Sequence, residues 1–509
     1  MLIRMSNEFQ GDFQGKSNPQ PALAARLGPR RGRAAPGSGP HPEQHPQPHP
    51  IWAIAMVTLL LIWPAIWNGY PLVFVDTGTY LGQALIGYVG WDRPPFYSLF
   101  MHALHWRQSL WLVVIGQGLL LAHLLHLVLR VQGYSGPAPL LLTGIALAML
   151  TGLPFVTAQL QPDLFTGVVV LCAWLTGFRR SCLSVAERRY VLALFTLAVA
   201  VHQSHLLLAF GLACVSAVIW TARGLRPAAQ AFGRLALPPL LALAGLVTVN
   251  ALAHKSPAPS PYGSVFLAAR ILFDETGHGW LARHCPDPEW RICAVSDRLG
   301  ADHNIFLWTL DGPLYTTLGG PKGWAGEASA LIRGVVLEDP IGILRAAAAN
   351  TMVQLVKINT GDGLGPWPGQ PGPERLIRGY FPREHAAFLA ARQQSGELLI
   401  LARRLSPLHT TVYFGSLVLL LGVLAVRRRA PQHVVLIALV LAACLGNAAI
   451  TGALSGPAGR YQARLTWLGL VATVAIMLPR PRPGSQSDPE TGTPMATGPA
   501  ASARACSPA

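Results

Sequence analysis

The chain divides into long apolar blocks separated by polar stretches. A helix needs roughly 20 mostly apolar residues to cross about 30 Å of hydrocarbon. About ten blocks meet or approach that length and predict transmembrane helices at Ile51–Gly69, Leu110–Arg130, Ala138–Phe155, Leu164–Gly177, Tyr190–Val201, Leu206–Ala222, Leu235–Leu252, Thr411–Val426, His433–Thr451 and Leu465–Leu478. The pattern therefore predicts an all-α polytopic membrane protein.

The polar segments give the domain organisation. Residues 1–50 and 480–509 are rich in Pro, Gly and polar side chains, which predicts disordered tails that cannot bury enough surface to fold. Residues 51–253 form an N-terminal transmembrane module, and residues 410–479 form the C-terminal transmembrane helices. Between the seventh and eighth spans, residues 254–409 lack strand-like alternation and include one helical stretch from Glu327 to about Lys357. We expect this segment to form a mainly helical domain.

Composition and charge support a membrane protein and set its predicted orientation. Of 509 residues, 51% are hydrophobic and only 12% are charged, a balance that excludes an ordinary soluble protein. Arginines concentrate in alternate connections, which the positive-inside rule assigns to the cytoplasm: Arg130, Arg179, Arg180, Arg188, Arg189, Arg223, Arg226, Arg234, Arg427, Arg428 and Arg429. Both termini are then cytoplasmic and residues 254–409 are extracytoplasmic. The net charge of +16 fits contact with anionic membrane lipid and not nucleic acid.

Two cysteines lie close together in the predicted extracytoplasmic segment. Cys285 and Cys293 frame the stretch CPDPEWRIC, whereas the other five cysteines fall in predicted spans or cytoplasmic segments. Paired thiols in an oxidising compartment favour a disulfide. We therefore predict a bond between Cys285 and Cys293.

Two motifs resemble the C-type (GT-C) membrane glycosyltransferases, which include protein mannosyltransferases and the aminoarabinose transferases of lipid A. The first is VDTGTYL followed by DRPPFY, in which Asp76 matches the acidic residue after the first span and Arg93–Tyr97 match the basic, Pro, Pro, aromatic block. The second is Pro162 with Asp163 at the outer mouth of the fourth span. The resemblance extends to about Ala222. It implies transfer of a sugar from a polyprenyl-phosphate carrier to an envelope acceptor at a bacterial inner membrane.

The chemistry of such a transfer assigns roles to particular residues. A base must take the acceptor proton, and Asp76 is the first candidate, with Asp163 as the second. The leaving lipid phosphate needs fixed cations, for which Arg93, Arg460 and Arg464 offer guanidinium forks. Further substrate-lining candidates are Tyr97, His202 and His205.

Each of these residues also has a structural interpretation. Asp76 and Asp163 both precede helical patterns and could act as helix caps. The arginines could anchor in lipid headgroups, because long basic side chains reach toward the interface at helix ends. Paired histidines such as His202 and His205 lack the further ligands of a recognisable metal site, so no metal residue is assigned and a divalent cation stays possible.

Two other functions stay open. A lipid-linked polysaccharide ligase or polymerase would place its chemistry on external basic residues, namely Arg375, Arg378, Arg383 and His385. A transporter or flippase would show two similar halves with helices broken near the membrane midplane. No internal repeat of that kind is visible in the sequence.

The predicted orientation can be tested with reporter fusions at Arg180, Arg428 and Glu327. The first two sites should report a cytoplasmic location and the third an extracytoplasmic one, because the arginine bias places them on opposite sides. Labelling of single introduced cysteines with an impermeant reagent provides an independent measurement. A cytoplasmic Glu327 would contradict both the topology and an extracytoplasmic site.

Overall fold

The computed structural model describes residues 50–134, 136–285, 289–367, 372–426 and 431–477, with side chains from 433 onward in the last range. The predicted tails, apart from Pro50, and the arginines at 427–429 lie outside these residues. Within the described ranges every regular element is a helix, and the one extended pairing is an isolated parallel bridge between Leu72 and Gln159. The all-α prediction is confirmed for this part of the chain.

The helices follow one another through the chain with short connections. Those of the N-terminal half are α1 Ile51–Leu61, α2 Trp63–Asn68, α3 Val75–Ile86, α4 Pro95–His105, α5 Trp111–Arg130, α6 Pro137–Leu150, α7 Leu153–Thr157, α8 Leu164–Phe178, α9 Val185–Ala200, α10 Gln203–Thr221 and α11 Leu225–His254. The remainder are α12 Gly263–Leu272, α13 Glu275–His284, α14 His303–Trp308, α15 Pro313–Thr316, α16 Gly320–Glu338, α17 Pro340–Val356, α18 Pro373–Tyr380, α19 Pro382–Ala390, α20 Glu397–Ala425, α21 Pro431–Leu454, α22 Gly459–Ala463 and α23 Thr466–Met477. Two short 3-10 segments occupy Arg180–Cys182 and Arg291–Arg298.

Each of the ten predicted apolar stretches contains a helix. Among the described helices, five are long and apolar enough to cross a membrane: α5, α10, α11, α20 and α21. The apolar helices α1, α6 and α8 are shorter. The structure thus supports a membrane-embedded helical protein, whereas the count of ten spans remains a prediction.

Proline explains where the predicted helices divide. The stretch Ile51–Gly69 is two helices that meet at Ile62, and Pro64 stands at the start of the second. The helix predicted from Glu327 to Lys357 is likewise interrupted at Asp339, directly before Pro340. Proline lacks an N–H and disfavours helical backbone in the residue before it, so it suits a helix start better than an interior.

The predicted boundary between residues 409 and 410 falls inside α20. This helix begins at Glu397, well before the predicted span start at Thr411. Arg403 and Arg404 interrupt the apolar pattern in its first half, and hydropathy alone therefore misses those turns. The C-terminal span and the preceding polar segment are one continuous helix.

The segment 254–409 contributes to three hydrophobic cores, the smallest of which includes its residues Leu364, Leu398 and Ala402. One core lies within α12–α16 and is built around buried aromatic side chains, including Trp280, Phe306 and Trp324. Further along, Ile377 and Phe388 instead join the main core of the helical bundle. The segment is therefore divided between a compact helical unit and helices that pack on the bundle.

Cys285 and Cys293 are joined by a disulfide in the α12–α16 unit. Their Cα atoms lie 4.8 Å apart, within the range for such bonds. The bond connects the end of α13 to the 3-10 segment Arg291–Arg298.

A glycine in α8 permits a close helix contact. A Cβ atom at Gly167 would lie 2.2 Å from Cζ2 of the buried Trp467 indole. Gly167→Ala should therefore destabilise the protein by about 1–3 kcal/mol through overpacking. The helical Gly211 has open space at the same position, and Gly211→Ala should be neutral or stabilising because alanine favours helices. Thermal unfolding in one detergent compares the variants, and equal melting temperatures would refute the packing argument.

Candidate functional site

A cavity of about 300 Å³ lies where the ends of several helices meet. Its polar wall contains the side chains of Asp76, Tyr80, Asp92, Arg93, Gln161, Asp163, His202, Gln203, Ser204, Ser260, Thr451, Ser455, Arg460 and Tyr461. Its apolar wall contains Pro94, Leu207, Phe266, Leu267, Ile450 and Leu454. The cavity therefore offers both charged groups and apolar contacts to an occupant.

Asp76 occupies the first turn of α3, but helix capping is not its observed role. The hydroxyl of Thr77 accepts the N–H of Phe74 at 2.9 Å and so closes the helix start. The Asp76 carboxylate instead accepts from Arg93 Nη2 at 2.8 Å and lies 3.7 Å from Arg460 Nη1, through the same oxygen. Asp76 is thus the point where two predicted phosphate-binding arginines meet.

Arg93 is held in place by the start of α4. Pro95 is the first residue of that helix, and the preceding loop presents Arg93 to the cavity. Its guanidinium also donates to the Asp92 carbonyl at 3.0 Å and lies 5.6 Å from the Trp308 ring centre. Burial alone would lower the pKa of the Arg93 guanidinium. The nearby carboxylates of Asp76 and Asp92 outweigh this effect and raise the pKa. Arg93 is therefore a permanent cation at the cavity.

Arg460 reaches the cavity from the short helix α22. Its backbone N–H donates to Asp362 Oδ2 at 2.9 Å. The guanidinium carbon lies 4.4 Å from the Phe74 ring centre and 5.1 Å from that of Tyr461. The two aromatic faces hold the side chain toward Asp76 and stabilise its charge.

The loop before α22 is fixed by the end of α17. The Gln354 side chain accepts the N–H of Ala458 at 2.9 Å and donates to the carbonyl of the same residue at 3.0 Å. The Asn359 N–H donates to the Gly459 carbonyl at 3.3 Å. A Cβ atom at Gly459 would lie 2.7 Å from the Asn359 Cβ, so this approach requires glycine. The polar segment 254–409 thereby positions a cavity arginine.

Asp163 and Arg464 form a buried ion pair behind the cavity. Arg464 Nη1 donates to Asp163 Oδ1 at 3.0 Å, and Nη2 donates to Asn447 Oδ1 at 2.8 Å and to Ser204 Oγ at 3.3 Å. Arg464 is fully buried, which rules out a headgroup anchor. Asp163 has no side-chain hydrogen bond to the start of α8 and does not cap that helix. The pair positions Asp163 on the cavity wall.

The structure separates the three predicted substrate-lining residues. His202 lines the cavity, and its Nδ1 lies 2.8 Å from Ser204 Oγ. His205 is fully buried between the Thr166 hydroxyl and the Ala198 carbonyl, outside the described cavity lining. This placement corrects the prediction for His205, because its ring is occupied in helix packing.

Tyr97 is also placed away from the cavity. Its ring is fully buried on α4, and its hydroxyl donates to Gln117 Oε1 at 2.7 Å. The ring packs edge-on against Tyr80, which does line the cavity. Tyr97 therefore supports the cavity wall instead of contacting its contents, because α4 turns this side chain toward α5.

Several cavity residues were missed by the sequence argument, and Asp92 and Gln161 are the most informative of them. Asp92 directly precedes Arg93, and its position in the same motif was a usable signal. Gln161 directly precedes Pro162, and its buried side-chain amide nitrogen has no hydrogen-bond partner in the structure. Leaving such a donor unpaired costs about 1–3 kcal/mol. The Gln161 side-chain amide can therefore donate a hydrogen bond to an acceptor atom that enters the cavity.

An aromatic cluster connects the cavity loop to the α12–α16 unit. Trp91 stacks on Phe266 and Trp308, with ring centres 5.3 and 5.6 Å away. Trp308 is also the ring beside Arg93. The contact makes the α12–α16 unit part of the cavity wall.

A metal-ion site would need several His, Cys, Asp or Glu side chains close together. Among the described residues, no group of three or more His, Cys, Asp and Glu side chains is arranged to hold a metal ion. The cavity carboxylates of Asp76 and Asp163 are both engaged by arginine. No metal ligand is therefore assigned here.

Comparisons with known proteins add no family assignment. None of the family models, curated proteins or solved structures compared with the chain matches it. The resemblance to GT-C glycosyltransferases rests on the motif residues alone.

Asp92 gives the site a testable pH dependence. Burial raises the pKa of Asp92; the charge of Arg93 opposes this shift and that of Asp76 adds to it. Because the folded-state pKa lies above the unfolded one, the stabilisation from the protonated form is complete at low pH and is lost as pH rises through the folded-state pKa. Asp92→Asn should then raise the melting temperature at pH 7.5 relative to the unmodified protein, and the gain should shrink as pH falls toward about 4.

Asp297 provides the control for this measurement because its side chain is 79% exposed. Asp297→Asn should change the melting temperature little at either pH. A lower melting temperature for Asp92→Asn at pH 7.5 would contradict the predicted cost of burying this carboxylate.

Proposed function

We propose that the protein is a membrane glycosyltransferase that moves a sugar from a polyprenyl-phosphate carrier to a hydroxyl of a cell-envelope acceptor. One observation carries the proposal: Asp76 lies within reach of both Arg93 and Arg460 in a cavity that also has apolar side chains in its lining. A base, two phosphate-binding cations and a hydrocarbon surface are the groups that this reaction requires.

The arginines and the carboxylate act in sequence. When the carrier phosphate enters, Arg93 and Arg460 bind its oxygens and release Asp76. The acceptor oxygen then attacks the anomeric carbon, its proton passes to Asp76, and the bond from that carbon to the phosphate oxygen breaks. The polyprenyl phosphate leaves with the bonding electrons, and its charge is stabilised by the two guanidinium groups. A phosphate leaving group needs no strong general acid.

Other cavity residues suit recognition of the substrate. Gln161 offers its unpaired amide donor to a sugar oxygen, and Asp163, held by Arg464, can accept from a sugar hydroxyl. Asp163 is thereby assigned to orientation of the sugar, while Asp76 takes the proton. The apolar side chains of Leu207 and Phe266 also line the cavity and suit contact with the first units of a polyprenyl chain.

The proposed location follows from the charge bias and the resemblance. Both termini lie in the cytoplasm, the cavity opens on the outer side of a bacterial inner membrane, and the carrier arrives from the bilayer. Nucleotide sugars are absent from that compartment. A lipid-linked donor is consistent with this placement.

The ligase alternative receives less support from the described residues. Its key external residues were Arg375, Arg378, Arg383 and His385, which lie on α18 and α19. None of them lines the cavity, and His385 lies 3.3 Å from the Glu374 carboxylate. A transporter or flippase would use the cavity without forming a bond, and a transfer assay separates that function from the proposed one.

Asp76→Asn should reduce sugar transfer by about 100- to 10,000-fold, because asparagine keeps the shape but cannot take the proton. Arg93→Lys should have a milder effect, since lysine keeps the charge and loses the fork. The measurement is transfer from a labelled polyprenyl-phosphate sugar to envelope acceptors by purified protein in lipid discs.

Asp297→Asn is the control because it removes an exposed carboxylate far along the chain from the motif. Melting temperatures recorded with each variant separate loss of chemistry from loss of folding. Near-normal transfer by a folded Asp76→Asn protein would remove Asp76 from the mechanism. Absence of transfer by the unmodified protein, with donor still bound or moved across the bilayer, would favour the transporter alternative.

A further inference from the structure

A second cavity, of about 160 Å³, lies at the opposite end of the helical bundle from the candidate site. Helix α8 begins beside Asp163 and ends at Phe178, close to this cavity. Fifteen helical residues span about 22 Å. Helix α9 begins near this second cavity and ends just before His202, which lines the candidate site. The two cavities therefore lie near opposite surfaces of the membrane-embedded region.

Three arginines converge on this second cavity. Arg180, Arg188 and Arg234 come from the 3-10 segment Arg180–Cys182, α9 and α11, and all three line the cavity. Burial and then the like charges of Arg188 and Arg234 lower the pKa of Arg180. Such mutual repulsion is unfavourable unless an anion is present.

The described residues supply no anion to this cavity. Its described lining contains no carboxylate. The adjacent Glu187 is engaged elsewhere, since it pairs with Arg130 at 2.6 Å and closes the start of α9 with Ser184. Arg188 is fixed instead through its Nε, which donates to the carbonyls of Arg180 and Leu183. Among the described residues, none therefore places a carboxylate in the cavity beside these arginines.

Apart from Thr176, the remaining wall of the cavity is apolar. It is formed by Leu183, Val191 and Leu192 together with Leu237, which is 44% exposed. Val185, at the start of α9, is 61% exposed. A soluble anion gains nothing from such a wall, whereas the glycerol and acyl groups of a lipid do.

We propose that this cavity binds the phosphate headgroup of an anionic phospholipid, with the arginines on the phosphate and the apolar wall against the lipid chain. Basic pockets between membrane helices recognise lipid headgroups by this combination. Arginine also offers paired donors that match phosphate oxygens. The site is separate from the proposed sugar transfer, and its occupant belongs to the other membrane leaflet.

The proposal can be tested by native mass spectrometry of the full-length protein with phosphatidylglycerol or phosphatidylcholine. The double variant Arg180→Gln/Arg234→Gln should lose about 30-fold in selectivity for the anionic lipid, given about 1 kcal/mol for each arginine near a membrane surface. The matched control, Arg189→Gln/Arg226→Gln, removes two exposed arginines that do not line the cavity and should lose less than about threefold. Equal losses of selectivity in the two double variants would show that the selectivity comes from diffuse surface charge, which would overturn the proposal.

Two further measurements use the unmodified protein. Crosslinking with a photoactivatable phosphatidylglycerol should label peptides that contain residues 180–192, and labelling spread evenly over the bundle would contradict a defined site. In a thermal unfolding assay, phosphatidylglycerol should stabilise the protein and inorganic phosphate should not. Equal protection by inorganic phosphate would identify a soluble-anion site and overturn the assignment to lipid.

Discussion

The buried ion pair between Asp163 and Arg464 is the constraint on which the candidate site depends. It joins residues 301 positions apart in the chain and lies where water cannot screen it. Burying two charges is costly unless their other hydrogen-bonding groups are satisfied. Asn447 and Ser204 meet that need for Nη2 of Arg464, although its Nε has no partner among the described residues. Ser204 in turn contacts His202 on the cavity wall. One polar network therefore sets the relative positions of α8, α10, α21 and the residues after α22.

The same packing places Arg460 opposite Arg93. Both arginines approach a single oxygen of Asp76, although they come from opposite ends of the chain. Like charges so close together are stable because the carboxylate lies between them and aromatic faces cover Arg460. The Asp76 carboxylate therefore holds both guanidinium groups at the cavity wall.

Much of the helical organisation could be predicted because it depends on local composition. Apolar length located a helix in each predicted span, and proline marked the interruptions at Pro64 and Pro340. The prediction lost accuracy where charged residues interrupt the apolar pattern of a helix. The first half of α20 carries Arg403 and Arg404, and hydropathy could not identify it as part of a continuous helix.

The sequence by itself determined the residue types available for chemistry and their order, including Asp76, Arg93 and Asp163. Only the tertiary structure decided which of them share a cavity. Tyr97 and His205 have suitable side chains, yet helix rotation turns both into the packed interior. The physical reason is that a helix presents neighbouring residues in different directions, and the direction that faces the cavity is set by contacts with helices distant in sequence.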